Sequence, residues 1–113
     1  MGRNSIVRGD RRRRYIGFLI STSVDRSPFT ESELLKDLRV NCKNFLNKDY
    51  RDMGLRLIRF DGEKGIMRCN HVEKDDTIKL LRSIKSISSR KAEIETLGTS
   101  GTIKSLVSKY MNK

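Results

Sequence analysis

The sequence has 113 residues, of which 25 are Lys or Arg and 14 are Asp or Glu, so its formal net charge at pH 7 is +11. This length suits one domain with one core, and the longest uncharged apolar stretch, Tyr15–Ile20, is far too short to cross a membrane. No secretory signal is recognisable at the N-terminus. So large a positive charge favours a polyanionic partner, most commonly a nucleic acid.

The cysteine and histidine content argues against a disulfide framework and against a metal site. Cys42 and Cys69 are 27 positions apart, form no CxxC pair and lie within apolar patterns. We therefore expect both to be free, buried thiols in a reduced, cytoplasmic protein. His71 is the single histidine, and no second His or Cys stands near it at metal-ligand spacing. We expect no metal bound by this chain.

The first predicted elements are an arm, a strand and a helix. Residues 1–13 form a basic, flexible arm, and the aromatic and β-branched run Arg14–Thr22 is predicted to be a strand. Thr30 and Glu33 fit a capping box at the start of a helix over Glu31–Leu46. Helical spacing predicts one apolar face on this helix, formed by Leu34, Leu35, Leu38, Cys42, Phe45 and Leu46.

The middle of the chain is predicted to form a hairpin. A polar loop over Asn47–Met53 precedes a strand at Gly54–Phe60, and a second strand follows at Ile66–Val72. The segment between these strands, residues 61–65, contains two glycines that are free to adopt a positive φ.

The last third of the chain is predicted to be helix, strand and helix. Asp75 or Asp76 caps a helix that runs to about Ile87, and a fourth strand covers Lys91–Leu97. A turn at Gly98–Gly101 then leads to a short helix that begins at Thr102. The predicted apolar stripe of this last helix is Ile103, Leu106, Val107 and Tyr110.

This order predicts an α+β fold of the ferredoxin-like (RRM-like) type. The elements run β-α-β-β-α-β and are followed by an extra C-terminal helix, in a single domain over residues 14–113. Such a domain has an antiparallel four-stranded sheet with two helices on one face. The first two strands are apolar at almost every position, which indicates that the second face is covered too. The C-terminal helix and a partner subunit are the two candidates for that cover.

The predicted fold narrows the chemistry that this chain can perform. RNA-binding domains of this shape stack bases on aromatic residues of the central strands, but the third strand, Gly65–Asn70, contains none. Phosphate contacts from basic loops, arms and helix faces are therefore favoured over base stacking on the sheet. The turn before the last helix is typical of a helix cap, although it could hold a phosphate with help from Arg68 and Lys104. With His71 as the only histidine, no catalytic triad can be assembled, and a stand-alone enzyme is not expected.

Three segments carry a more specific signal. They are Arg14-Tyr15-Ile16 in the first strand, Gly65–Cys69 in the third strand, and Leu97–Lys104 between the fourth strand and the last helix. In this order and spacing, the chain resembles the protein component 2 family of archaeal ribonuclease P, whose eukaryotic relatives serve the nuclear enzyme. The resemblance covers residues 14 to about 106.

The resemblance implies a role in a ribonucleoprotein enzyme. Members of this family have the ferredoxin-like fold and belong to the endonuclease that removes the 5′ leader from precursor tRNA. The RNA with its bound Mg²⁺ is the catalyst, so the resemblance implies that this chain has no catalytic residue and no cofactor of its own. The implied partners are the ribonuclease P RNA, protein component 3 and, indirectly, precursor tRNA. A homodimer or a heterotetramer with component 3 stays open.

The resemblance also implies a set of RNA- or partner-facing residues: Arg14, Arg68, Ser100, Gly101, Thr102 and Lys104. The adjacent Arg11, Arg12 and Arg13 are either an added phosphate grip or part of a solvated arm. The loop Asn47–Met53 departs from the family, because it is charged where a Gly-rich loop is expected. The C-terminus leaves room for one short helix only. The alternatives are a small ribosomal or other RNA-binding protein, and a protein–protein adaptor with an acidic partner.

Overall fold

The computed structural model describes residues 12–22 and 29–111. The strands and helices are β1 (Arg13–Ser21), α1 (Glu31–Asn41), β2 (Arg56–Phe60), β3 (Lys64–Asn70), α2 (Lys74–Ser83), β4 (Ser86–Ile87), β5 (Arg90–Lys91), β6 (Glu93–Ser100) and α3 (Ile103–Leu106). A π-helical segment continues α1 over Cys42–Leu46 and another continues α3 over Val107–Met111, while a 3-10 turn over His71–Glu73 precedes α2.

The main sheet has the predicted ferredoxin-like topology. Its strand order is β2-β3-β1-β6, and every neighbouring pair is antiparallel. β1 and β3 are therefore central, with β1 paired over seven residues to β3 and to β6. The α+β, βαββαβ fold with an additional C-terminal helix is confirmed.

In the central strands, alternate side chains face the two helices and form the core. In β1, Ile16, Phe18 and Ile20 are almost completely buried, and they belong to the same apolar cluster as Leu34 and Leu38 of α1. Burying each of these large side chains contributes about 1.5–3 kcal/mol, which makes this face the main source of stability.

The start of α1 is fixed by the predicted capping box. The Glu33 backbone N–H donates to Thr30 Oγ1 at 3.2 Å, and the Thr30 backbone N–H donates to Glu33 Oε1 at 2.9 Å. Two backbone donors that the helix leaves without partners are thereby satisfied.

The second face of the sheet is covered in part by the C-terminal helix. Gly17 of β1 and Gly98 of β6 lie directly opposite each other in the register. A Cβ atom on Gly98 would lie 2.5 Å from the ring of Tyr110, and one on Gly17 would lie 2.8 Å from Sδ of Met111. The two glycines thus provide the space in which this helix approaches the sheet, and Leu106 of the same helix is fully buried. The C-terminal helix, one of the two predicted covers, is therefore confirmed.

The region after α2 differs from the prediction. The helix ends at Ser83 instead of near Ile87, and β4 and β5 form a small hairpin whose turn holds Ser88 and Ser89 at φ values of 52° and 70°. Ile84 and Ile87 are both buried, so the chain leaves the helix in order to place both side chains in the core. Neither Asp75 nor Asp76 is the N-cap residue; the N-cap is Glu73, and both aspartates lie in the first turn.

The fourth strand of the main sheet is also longer than predicted. β6 runs from Glu93 to Ser100, so the expected turn at Gly98–Gly101 is mostly strand. Pairing of Gly98 with Gly17 extends the sheet through this segment.

One residue predicted for the apolar face of α1 is exposed instead. Phe45 has 57 % of its surface accessible, whereas Cys42 is fully buried. The last turn from Cys42 to Leu46 is π-helical, and its wider turn changes the angular step between residues. Phe45 therefore does not follow Leu34, Leu38 and Cys42 into the core.

The two cysteines are free and buried, as predicted. Burial raises the pKa of both the Cys42 and the Cys69 thiol. Both are therefore protonated, unreactive packing residues at neutral pH.

Candidate RNA interface

A row of four residues crosses the second face of the sheet near the end where β1 begins. Arg56 of β2 lies opposite Arg68 of β3, Arg68 lies opposite Tyr15 of β1, and Tyr15 lies opposite Ser100 of β6. Directly opposed residues in antiparallel strands project from the same face. We call these four residues the arginine row.

The arginine row carries two like charges at directly opposed positions, which destabilises a sheet unless an anion intervenes. Among residues 12–22 and 29–111, no acid forms an ion pair with Arg56 or Arg68. Arg56 is exposed, while Arg68 is half-buried and its Nε is enclosed without a hydrogen-bond partner from the described part of the chain. This pair has the composition of a phosphate site, because guanidinium groups bind phosphate oxygens in a bidentate manner.

Arg14 and Gly101 come together at the same end of the sheet, where Arg14 lies opposite the buried Cys69 and therefore projects from the helix-covered face. A Cβ atom on Gly101 would lie 3.3 Å from Nη1 of Arg14. The same nitrogen donates to the carbonyl oxygen of Arg13 at 3.3 Å. The position after β6 thus leaves room for the Arg14 side chain, which is half-buried near the sheet end.

The predicted phosphate turn is used as a helix cap. Thr102 is the N-cap of α3, and its Oγ1 accepts a hydrogen bond from the Ser105 N–H at 3.1 Å. The Thr102 N–H donates to Ser100 Oγ at 3.4 Å, so both hydroxyl oxygens already accept a bond within the chain. Lys104, in the first turn of α3, is exposed. Within this motif, Lys104 is the side chain that is most available to a ligand.

The arginine run is only partly described. Arg11 lies outside the described residues, whereas Arg12 is exposed and its carbonyl oxygen accepts a hydrogen bond from the His71 N–H at 2.9 Å. Arg13 is the first residue of β1 and lies opposite Asn70. Arg12 and Arg13 are therefore held by the sheet at the end where the arginine row lies.

Two basic residues of this face were not predicted from the sequence. Arg56 and Arg59 of β2 are exposed and lie opposite Arg68 and Ile66 of β3. Regular alternation would place residues three positions apart on opposite faces of β2, but the register shifts between Leu57 and Arg59, so that Arg56 and Arg59 both lie opposite residues of the second face.

The charged loop after α1 uses its lysine internally. Lys48 Nζ donates to Glu73 Oε1 at 2.7 Å and to Asp76 Oδ2 at 2.6 Å. These carboxylates raise the pKa of Lys48, and the lysine in turn lowers the pKa of Asp76. Lys48 thus links the loop to the start of α2, and its ammonium group is already paired with two carboxylates.

Within 12–22 and 29–111, no three His, Cys, Asp or Glu side chains come together as a metal site would require. In the same part of the chain, no helix is long and apolar enough to span a membrane.

Comparison with known proteins gives consistent matches. The sequence pattern of the Rpp14/Pop5 family matches residues 14–111. Ribonuclease P protein component 2 of Archaeoglobus fulgidus is 33 % identical over 100 residues, which cover 88 % of this chain and 89 % of that protein. The protein of the same name from Methanosarcina mazei is 26 % identical over 101 residues, covering 88 % and 84 %.

A solved structure supports the fold. One chain of the cryo-EM structure of yeast ribonuclease MRP superposes with a TM-score of 0.63 at 17 % identity, covering 81 % of this chain and 76 % of that chain. At this identity, the similarity concerns the fold alone.

Proposed function

The chain belongs to the Rpp14/Pop5 family, and we propose that it acts as a protein subunit of ribonuclease P, supporting the RNA that removes the 5′ leader from precursor tRNA. The observation that carries this proposal is the match over residues 14–111, together with relatives that bear the name ribonuclease P protein component 2. The two alternatives, a ribosomal protein and an adaptor, leave this match unexplained.

The mechanism we propose for this subunit is neutralisation of RNA phosphates. With a net charge of +11, the chain can replace condensed counterions and let the RNA compact at a lower Mg²⁺ concentration. Arg56 and Arg68 of the arginine row, together with Arg12, Arg14 and Lys104, are the side chains we assign to this role. If about six phosphates are contacted, RNA affinity falls on the order of 10³-fold between 50 and 200 mM salt.

In this proposal the chemistry of phosphodiester hydrolysis belongs to the RNA. Mg²⁺ bound to the RNA supplies metal-assisted attack on the phosphodiester, and this chain contributes binding and positioning. The proposed protein partner is component 3, in a complex that contains one or two copies of this chain. A cytoplasmic location stays a prediction.

Reconstitution tests the assignment. Precursor tRNA cleavage by the cognate ribonuclease P RNA is measured at low Mg²⁺ with no protein, with each protein alone, and with both this chain and component 3. The proposal predicts activation that requires both proteins. Equal rates with and without this chain would refute it.

A further inference from the structure

A groove on the helix layer of the protein contains an exposed aromatic ring. The groove lies between the end of α1 and the side of α2 and has a volume of about 730 Å³. It is lined by Asn41, Asn44, Phe45, Lys79, Arg82 and Lys85. Phe45 is 57 % exposed there. Because α1 and α2 pack on one face of the sheet and the arginine row lies on the other, this groove is separate from the interface described above.

One side-chain hydrogen bond joins the two helices at the groove, and a second bond, within α2, orients its acceptor. Asn41 Nδ2 donates to Ser83 Oγ at 3.3 Å, and Ser83 Oγ donates to the Leu80 carbonyl oxygen at 2.7 Å. These bonds hold the end of α1 against the end of α2. The width of the groove is therefore set by the fold and does not depend on a flexible loop.

The π-helical end of α1 places Phe45 in the groove. A regular helix would continue the buried stripe through this position, whereas the wider turn over Cys42–Leu46 directs the ring to the surface. Because Phe45 is 57 % exposed, it forgoes roughly half of the stabilisation that complete burial of a Phe side chain contributes, or about 1–2 kcal/mol. One exposed ring is common on protein surfaces and carries no inference alone, but π-helical turns often occur at functional sites.

The charges around Phe45 are the second observation. Lys79 and Arg82 lie one turn apart on α2, Lys85 follows the helix, and no acidic residue lines the groove in the described part of the chain. Acidic residues lie outside the groove: Glu93 and Glu95 line a neighbouring depression with Arg82 and Lys85, Asp76 is paired with Lys48, and Asp75 lies one turn before Lys79 on α2. The groove therefore combines an accessible ring with positive charge.

We propose that this groove binds one unpaired nucleotide of RNA, with the base stacked on Phe45 and the flanking phosphates held by Lys79 and Arg82. Stacking platforms bordered by cations are how proteins hold single-stranded nucleic acids. An apolar protein segment would require a wider hydrophobic surface than one ring, whereas a polyanion matches the cations. The inference rests on the proposed function, since it takes RNA as the ligand, and it adds a second contact on the opposite face of the domain.

The absence of tryptophan from the sequence gives a direct test. Phe45→Trp introduces the only tryptophan of the chain into the groove, and its fluorescence is quenched when a base stacks on it. The probes are a ten-nucleotide oligouridylate, a blunt RNA duplex and inorganic phosphate. The matched control is Val72→Trp, which places a tryptophan at an exposed site outside the groove, in the turn before α2.

The expected result is quenching of the Phe45→Trp protein by oligouridylate, with none by the duplex or by phosphate, and none in the Val72→Trp protein. Phe45→Ala should weaken oligouridylate binding about 5- to 150-fold, the loss expected for one stacked base. Equal quenching of both tryptophan variants, unquenched Phe45→Trp in a complex with oligouridylate, or unchanged affinity of Phe45→Ala would each overturn the inference.

The same variant separates this inference from the subunit assignment. Phe45→Trp is also used in the reconstituted cleavage reaction with component 3. Activation of cleavage without quenching by oligouridylate would overturn the stacking groove alone. Quenching without activation would refute the ribonuclease P assignment while supporting RNA binding in the groove.

Discussion

Gly98→Ala tests how the C-terminal helix is seated on the sheet. Gly98 is not among the glycines with positive φ, so an alanine there meets no backbone strain, and the new Cβ would lie 2.5 Å from the Tyr110 ring. That ring is 43 % exposed, which means that it buries roughly half of its surface, or about 100 Å². At about 25 cal/mol per Å², this burial is worth about 2.5 kcal/mol.

The ring has open solvent on one side, so it can tilt away and lose only part of that contact. We expect Gly98→Ala to lower the free energy of unfolding by about 1–2 kcal/mol, which corresponds to about 4–8 °C in Tm. In a protein that already carries Tyr110→Ala the obstacle is gone. There the same substitution should stabilise the fold by about 0.5 kcal/mol, because alanine restricts the unfolded chain.

Urea unfolding of the four proteins in this cycle measures both values, with the m-value as a check that the denatured state is unchanged. We expect the effect of Gly98→Ala to change sign between the two backgrounds. If Gly98→Ala destabilised the protein equally with and without Tyr110, the loss of stability would arise within the strand. That result would refute the packing of the Tyr110 ring on Gly98.

Two further predictions concern the interface and the hairpin turn. Arg68→Gln should make the slope of log K against log salt for RNA binding shallower by about 0.9, which is the value for one lost phosphate contact. Lys36→Gln, at an exposed position of α1, is the control. An unchanged slope for Arg68→Gln would exclude the contact. Asp61 Oδ1 accepts the N–H groups of Glu63 at 2.9 Å and Lys64 at 2.7 Å, and these bonds lower its pKa. Its stabilisation is therefore present above about pH 4 and is lost as the pH falls through the lowered folded pKa. Asp61→Ala should lower the free energy of unfolding by about 1 kcal/mol at pH 7. In urea unfolding, this difference from the natural protein should shrink below about pH 4. A difference independent of pH would contradict the role of the carboxylate.

Local sequence signals correctly predict those features of the fold that depend on a single helix or strand. The capping residues Thr30 and Glu33 lie three positions apart, and the nearly continuous apolar run in β1 predicts a strand that is covered on both faces. The order of elements then restricts the sheet to a small number of topologies. The strand order β2-β3-β1-β6 agrees with that expectation.

The errors arise where an element departs from its regular period. Ile84 and Ile87 keep the spacing of a buried helical face and both are buried, but the chain leaves the helix at Ser83 and buries Ile87 from a two-residue strand. Phe45 follows Cys42 at helical spacing, but the π-helical turn changes the direction of its side chain. Neither departure has a signal in a pattern that is read at a fixed angular step.

Part of the interface could not be predicted because it depends on the register between strands. Arg68 and Arg14 were identified through motifs that resemble a family, and the structure locates them at one end of the sheet. Arg56 belongs to a strand that is 12 positions away from Arg68 in the sequence, and their opposition is visible only once β2 and β3 are aligned. The role of Gly17 and Gly98 also depends on strand register, because their pairing leaves the space in which the last helix packs on the sheet.

The most direct test of the account is the Mg²⁺ dependence of reconstituted precursor tRNA cleavage with three forms of this chain. These are the natural sequence, Arg56→Gln/Arg68→Gln and the control Lys36→Gln, each with ribonuclease P RNA and component 3. The account predicts that the natural protein and Lys36→Gln lower the Mg²⁺ needed for half-maximal cleavage, whereas the double variant requires more Mg²⁺. Identical Mg²⁺ curves for all three proteins, or no activation by any of them, would contradict it.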